Sequence, residues 1–163
     1  WSSPTSVGEA PGDAFGDDAG VESLLRRGGR SASDPGRIAT DRDAAHLRWR
    51  YSFEPLHYRV MPVGSSVRDG VVVFRLRRRG DALEATIVEM LVASPSAARA
   101  TIGRILRETG ADYAIAAGGT SLIGAGFVPV RRLGPILTWK PIDRLGVPRM
   151  SELALALGDV ELF

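Results

Sequence analysis

The sequence predicts an α/β domain built on a mixed, twisted β-sheet with helices on both faces. Three observations carry this. Strand-length apolar runs at 58–62, 71–77 and 83–92 are separated only by turn residues, as in an antiparallel meander. A helix-length stretch at 96–109 then leads to a short apolar run at 113–117, and a strand–helix–strand crossover places its two strands parallel in one sheet. An aromatic, arginine-rich helix candidate, Asp41 to Tyr51, precedes the meander.

Residues 1–40 read differently from the rest. Ser, Gly, Asp and Pro dominate, as in Arg27-Gly-Gly-Arg-Ser-Ala-Ser-Asp-Pro-Gly, and apolar burial in such a stretch does not repay the entropy of ordering it. They are expected to form a polar linker, with a turn or two of helix at Val21-Glu-Ser-Leu-Leu-Arg. The compact domain is expected to span 41–163. The chain opens on Trp1 rather than Met, which predicts a piece of a longer protein.

From Asp41 onward each element has a local reason. Asp41 can cap a helix through its carboxylate. Ala44, Leu47 and Trp49 or Tyr51 then fall on a common face, and Pro55 limits continuation. The rings can plug the gap between helix and sheet or line a cleft, while Arg48 and Arg50 project towards solvent or a carboxylate. Asp69-Gly70 and Gly80-Asp81 turn the chain between the strands. In the third strand Ala85, Ile87, Glu89 and Leu91 alternate onto one face, leaving Glu89 the only charge there, and Glu84 near the strand start is expected in solvent. Ser94-Pro95 opens the next helix, with Ala98, Ile102, Ile105 and Leu106 at helical spacing, and Gly110 ends it. Tyr113 to Ala117 reads as a buried strand. Thr120 or Ser121 caps a short helix, and Phe127–Arg131 and Ile136–Lys140 read as two further strands. The tail from Ser151 is helical or extended.

Composition bounds the function. With 21 basic against 19 acidic residues the net charge is +2, too small to mark a nucleic-acid surface by itself. Nearly all the basic residues are arginine, whose planar fork suits phosphate and carboxylate. Arg75, Arg77, Arg78 and Arg79 make one hairpin end basic, either a solvated hairpin or a contact for an anionic partner. The chain has no cysteine, and His46 and His57 lie in different elements, so no metal site is expected. No apolar run approaches the ~20 residues of a membrane span. Nothing argues for export, so the expected location is cytoplasmic.

The element order, the Leu47-Arg-Trp-Arg-Tyr51 helix, the Ile105-Leu106 to Gly110 rhythm before a strand, and the Gly126-Phe127 pair resemble the acyl-CoA N-acyltransferase (GNAT) superfamily over residues 41–142. The resemblance is closest to the degenerate second domain of tandem or Fem-like members. It implies transfer of an acyl group from acetyl-CoA or another acyl-CoA to a small-molecule amine by direct attack. In the family, backbone N–H groups at a helix start hold the coenzyme pyrophosphate. The family's Arg/Gln-x-x-Gly-x-Gly/Ala pattern falls on Ala98, Arg99, Ala100, Thr101 and Gly103. Only Gly103 matches it, and Arg99, one position late, is the candidate phosphate clamp. Glu89 stands where members place a base that deprotonates the amine, directly or through water; otherwise it pairs with an arginine such as Arg75. The family's acid tyrosine is replaced by Leu122 and Ile123. The alternative is a non-catalytic GNAT-like module that supports a neighbouring catalytic domain or binds an anionic partner.

Overall fold

The computed structural model describes residues 2–28, 38–117, 121–130, 148–149, 152–153 and 155–160. Among them a five-stranded mixed sheet is built from β1 (Ser2–Ser3), β2 (Arg59–Pro62), β3 (Val71–Arg79), β4 (Ala82–Leu91) and β5 (Tyr113–Ala116). The long β3–β4 hairpin is its centre. β4 takes one edge of β3, while β1 and β2 pair antiparallel with the other, β2 against Val71 to Phe74 and β1 against Leu76 and Arg77. β5 joins β4 in parallel, Glu84 opposite Tyr113 through Ile87 opposite Ala116. The expected α/β architecture is thus present, with the crossover where the sequence places it.

Helices cover both faces. α1 (Pro11–Ala14), α2 (Asp18–Gly28) and α3 (Ala44–Tyr51) lie on one, where Phe15, Val21, Leu24, Leu47 and Tyr51 pack with Val71, Val73, Val88 and Leu91. α4 (Pro95–Thr109) covers the other with Ala98, Ile102 and Ile105 against Val72, Phe74, Leu76, Ala85 and Ile87. Its ends follow the sequence. The Ser94 hydroxyl accepts from Ala97 N–H, Pro95 fills the first turn, and Gly110 leaves the helix at φ +68°, a left-handed conformation that suits glycine. Two short helices complete the described fold, α5 (Ser121–Gly124) and α6 (Leu157–Val160).

The amino-terminal segment differs from the polar linker that composition predicts. Phe15 and Val21 are fully buried, and residues 2–3 pair with β3. A few apolar side chains at the right spacing suffice, and polar contacts hold the rest. Glu9 exchanges backbone hydrogen bonds with Val60 at 2.8 and 2.9 Å. Arg68 grips Asp17 through Nε and Nη2, and Arg48 reaches both Asp18 and the Phe15 carbonyl. Gly8, at φ +79°, lets the chain turn close over β2, where a Cβ would lie 2.8 Å from the Val60 carbonyl oxygen.

Other expectations shift locally. α3 is capped by Asp43, not Asp41; the Asp43 carboxylate accepts from His46 N–H and stands directly before the helical run. Phe127 to Val130 form no strand; Phe127 N–H bonds Leu122 O, and Val128 and Val130 are exposed. The strand expected at 136–140 lies outside the described residues.

One irregularity positions the site. Val73 pairs with Glu89 but Phe74 pairs with Ile87, so β4 carries Val88 as an extra residue. Such a bulge breaks strict alternation. Strict alternation predicts Glu89 on the face of Ala85 and Ile87, the α4 side. Beyond the bulge Val88 and Leu91 pack towards α1–α3, and Glu89 meets Arg42 beside α3.

Candidate functional site

Glu89 is a fully buried carboxylate, 2% exposed. Its Oε2 lies 3.3 Å from Arg42 Nε, with the Arg42 side chain 6% exposed. Arg42 Nη2 also binds Asp159 of α6, so one guanidinium joins two carboxylates from distant parts of the chain. Asp159 is held further by Thr40 Oγ1, which donates at 2.7 Å, and by Ala156 N–H at 2.6 Å. Arg50 donates from Nε (3.1 Å) and Nη2 (2.8 Å) to the neighbouring Gly158 carbonyl. Burial works against the Arg42 charge, but Glu89 and Asp159 outweigh it and hold the guanidinium above its ordinary range. Burial, reinforced by Glu89, pushes the Tyr51 phenol well above the usual tyrosine range.

Tyr51 walls the cluster. Its ring meets Tyr58 edge-on at 5.2 Å, and Arg50 lies 5.9 Å from the centroid of each. Tyr51 therefore plugs the gap between helix and sheet, whereas Trp49 points outward, 74% exposed beside His46. A hollow of about 440 Å³ is lined by Tyr51 with Pro11, Phe53, His57, Tyr58 and Arg59 among others. Glu89 does not line it.

The residues expected at the coenzyme lie on α4, apart from Glu89 on β4. Ala98, Arg99, Ala100, Thr101 and Gly103 all fall inside α4 rather than in a loop before it. Ala98 N–H donates to Ser94 O at 3.1 Å, and amides further along a helix bond the carbonyl one turn back. Ala98 and Thr101 are buried, and Gly103 is half-buried beside the Arg107 side chain. Arg99 and Ala100 are exposed, with Arg99 running along Gly126. Ala98 packs on the α4 face and Glu89 on the α3 side, so the sheet stands between them.

The arginine expectations divide. Glu89 pairs with Arg42, while the register sets Arg75 opposite Thr86, its Nη1 donates to Ser2 Oγ, and its guanidinium lies 6.0 Å from the Tyr58 centroid. At 4% exposure it also leaves the surface patch expected of Arg75, Arg77, Arg78 and Arg79. Glu84 is buried at 3% rather than solvated, accepting from Thr86 Oγ1 (2.7 Å) and Tyr113 Oη (3.1 Å) with Arg79 Nε at 3.4 Å.

Sequence reasoning missed Arg42, Thr40 and Asp159. The signal available was Glu89 itself: a lone carboxylate among apolar neighbours requires a buried cation. Which arginine supplies it depends on the bulge and on the path of the carboxy-terminal segment. No group of three or more His, Asp or Glu side chains suited to a metal occurs among the described residues, and no described helix is long and apolar enough to cross a membrane.

No known family and no curated protein matches this sequence. A structural match is the crystal structure of a TTHA1254 point mutant from Thermus thermophilus. Its TM-score is 0.42 at 16% identity, covering 80% of this chain and 95% of that one. What the chain does have is a mixed α/β architecture, a parallel and antiparallel sheet flanked by helices.

Proposed function

We propose that this chain is a GNAT-like module that binds a partner or supports a neighbouring catalytic domain, rather than a self-sufficient acyltransferase. The observation that carries this reading is the commitment of Glu89. A base must come within hydrogen-bond reach of the substrate amine or of a relay water. Glu89 is instead buried against Arg42, behind Tyr51 and α6. The intrahelical placement of Ala98 to Gly103 supports the same reading, because amides bonded within a helix are not available to a pyrophosphate.

Calorimetry of the full chain with acetyl-CoA tests it. The expected result is no heat of binding up to millimolar coenzyme. Saturable micromolar binding would overturn the proposal and favour acyl transfer to an amine, with Arg99 on phosphate and Glu89 as base.

A further inference from the structure

The contacts of α6 are those of a bound ligand more than those of a folded helix. Four residues are too few to be stable alone. The turn is held through groups that recognise a main-chain carbonyl and an adjacent carboxylate. Arg50 places two N–H groups on the Gly158 carbonyl, while Arg42 and Thr40 take the Asp159 carboxylate. Gly158 is the residue the space demands: a Cβ there would lie 3.1 Å from the Val88 carbonyl oxygen and would collide with the Tyr51 hydroxyl. That Val88 carbonyl belongs to the bulge, just past Ile87, the last residue of β4 paired with β5. The slot is therefore shaped for glycine and charged for the aspartate that follows it. Burying ions in this way adds little net stability compared with apolar packing, so the arrangement specifies an occupant more than it strengthens the fold.

We propose that Arg42, Arg50 and Thr40, with the floor made by Tyr51 and Val88, form a recognition site for a glycine–aspartate polypeptide segment, and that α6 is its resident, exchangeable occupant. The partner is a protein segment carrying Gly-Asp with apolar residues before it, as in Leu155-Ala156-Leu157, which takes the slot when α6 leaves. This rests on the partner-binding reading above and names the chemistry of that partner.

The test uses the full chain and a fluorescein-labelled peptide, Leu-Ala-Leu-Gly-Asp-Val, copied from residues 155–160. In Gly158→Ala the new methyl group expels the chain's own α6 and leaves the site intact. Anisotropy should show this variant binding the peptide at least tenfold more tightly than the wild-type chain does. The same peptide with Asn in place of Asp should lose about tenfold, as expected for losing charge-assisted hydrogen bonds. Amide exchange provides the control, and in the variant α6 should lose protection while β3 keeps it. Peptide uptake absent under those conditions overturns the proposal, as does an α6 that stays protected. If Gly158→Ala fails to fold, exchange in the wild-type chain decides: α6 must open well before β3, and equal protection overturns the idea. Coenzyme calorimetry reads neither result, so this proposal and the non-catalytic reading fail separately.

Discussion

Replacing Glu89 by glutamine keeps the shape of the side chain and removes its charge. Arg42 then faces the interior with Asp159 as its remaining counter-charge. Removing one partner of a buried pair costs roughly 3–5 kcal/mol, because the other charge is left uncompensated. Retention of Asp159 places Glu89→Gln at the lower end, about 3 kcal/mol. With a urea slope of about 2 kcal/mol/M, the unfolding midpoint falls by about 1.5 M. Circular dichroism across a urea titration measures it. A cycle with Arg42→Met sharpens the result, since that substitution should cost less in the Glu89→Gln background than in the parent. A residue kept for catalysis behaves differently: its removal leaves stability unchanged or improves it. A Glu89→Gln midpoint equal to the parent's would refute the structural assignment of this carboxylate.

Phe15→Ala should cost about 3–5 kcal/mol in the same titration, since the ring is fully buried in a segment whose composition reads as a linker. Gly8→Ala should destabilise by more than the ~1 kcal/mol of an ordinary backbone effect, because the methyl also meets the Val60 carbonyl; thermal melts check it. The bond from Gly20 N–H, then Arg68, holds the Asp17 carboxyl below its ordinary value, so its stabilisation is present above that value and is lost as pH falls through the lowered one. Urea midpoints of Asp17→Asn and parent should differ at neutral pH and converge in acid. Tyr51 is shifted the other way, so its contribution is complete below about pH 10 and is lost as pH rises beyond it. Phenolate absorbance should report Tyr51 only as the chain unfolds in alkali, and Tyr51→Phe should flatten the alkaline loss of stability.

The elements legible in the sequence are those fixed by local chemistry. Ser94-Pro95 and Gly110 bound α4, and the Asp69-Gly70 and Gly80-Asp81 turns define β3 and β4. What stays hidden depends on contacts far along the chain. Phe15 and the short turn at 21–25 supply sparse apolar residues in a polar stretch, and only the sheet they land on makes them core. The bulge at Val88 follows from how β4 fits β3, and nothing in the alternation of 83–92 announces it; that single residue moves Glu89 from the expected side of the sheet to Arg42. Arg42 and Asp159 lie 117 residues apart, and no spacing rule reaches so far. Glu84 escapes sequence reasoning for a related reason: Thr86 is its neighbour on β4, but Tyr113, which also satisfies it, becomes its partner only once β5 joins the sheet.

The outer margin of the sheet has a consequence for self-association. Among the described residues the margin beyond β3 is not one strand but two short pieces end to end, Ser2–Ser3 and Arg59–Pro62. The longer piece ends at Pro62, which offers no N–H, and is occupied on its free side where Glu9 bonds Val60. A neighbouring molecule seeking to extend the sheet on that side meets a broken, partly capped row of amides. Peeling back the first nine residues would bare the outward-facing amide and carbonyl of Val60 and the Leu76–Arg77 stretch of β3, leaving that margin open to a further strand.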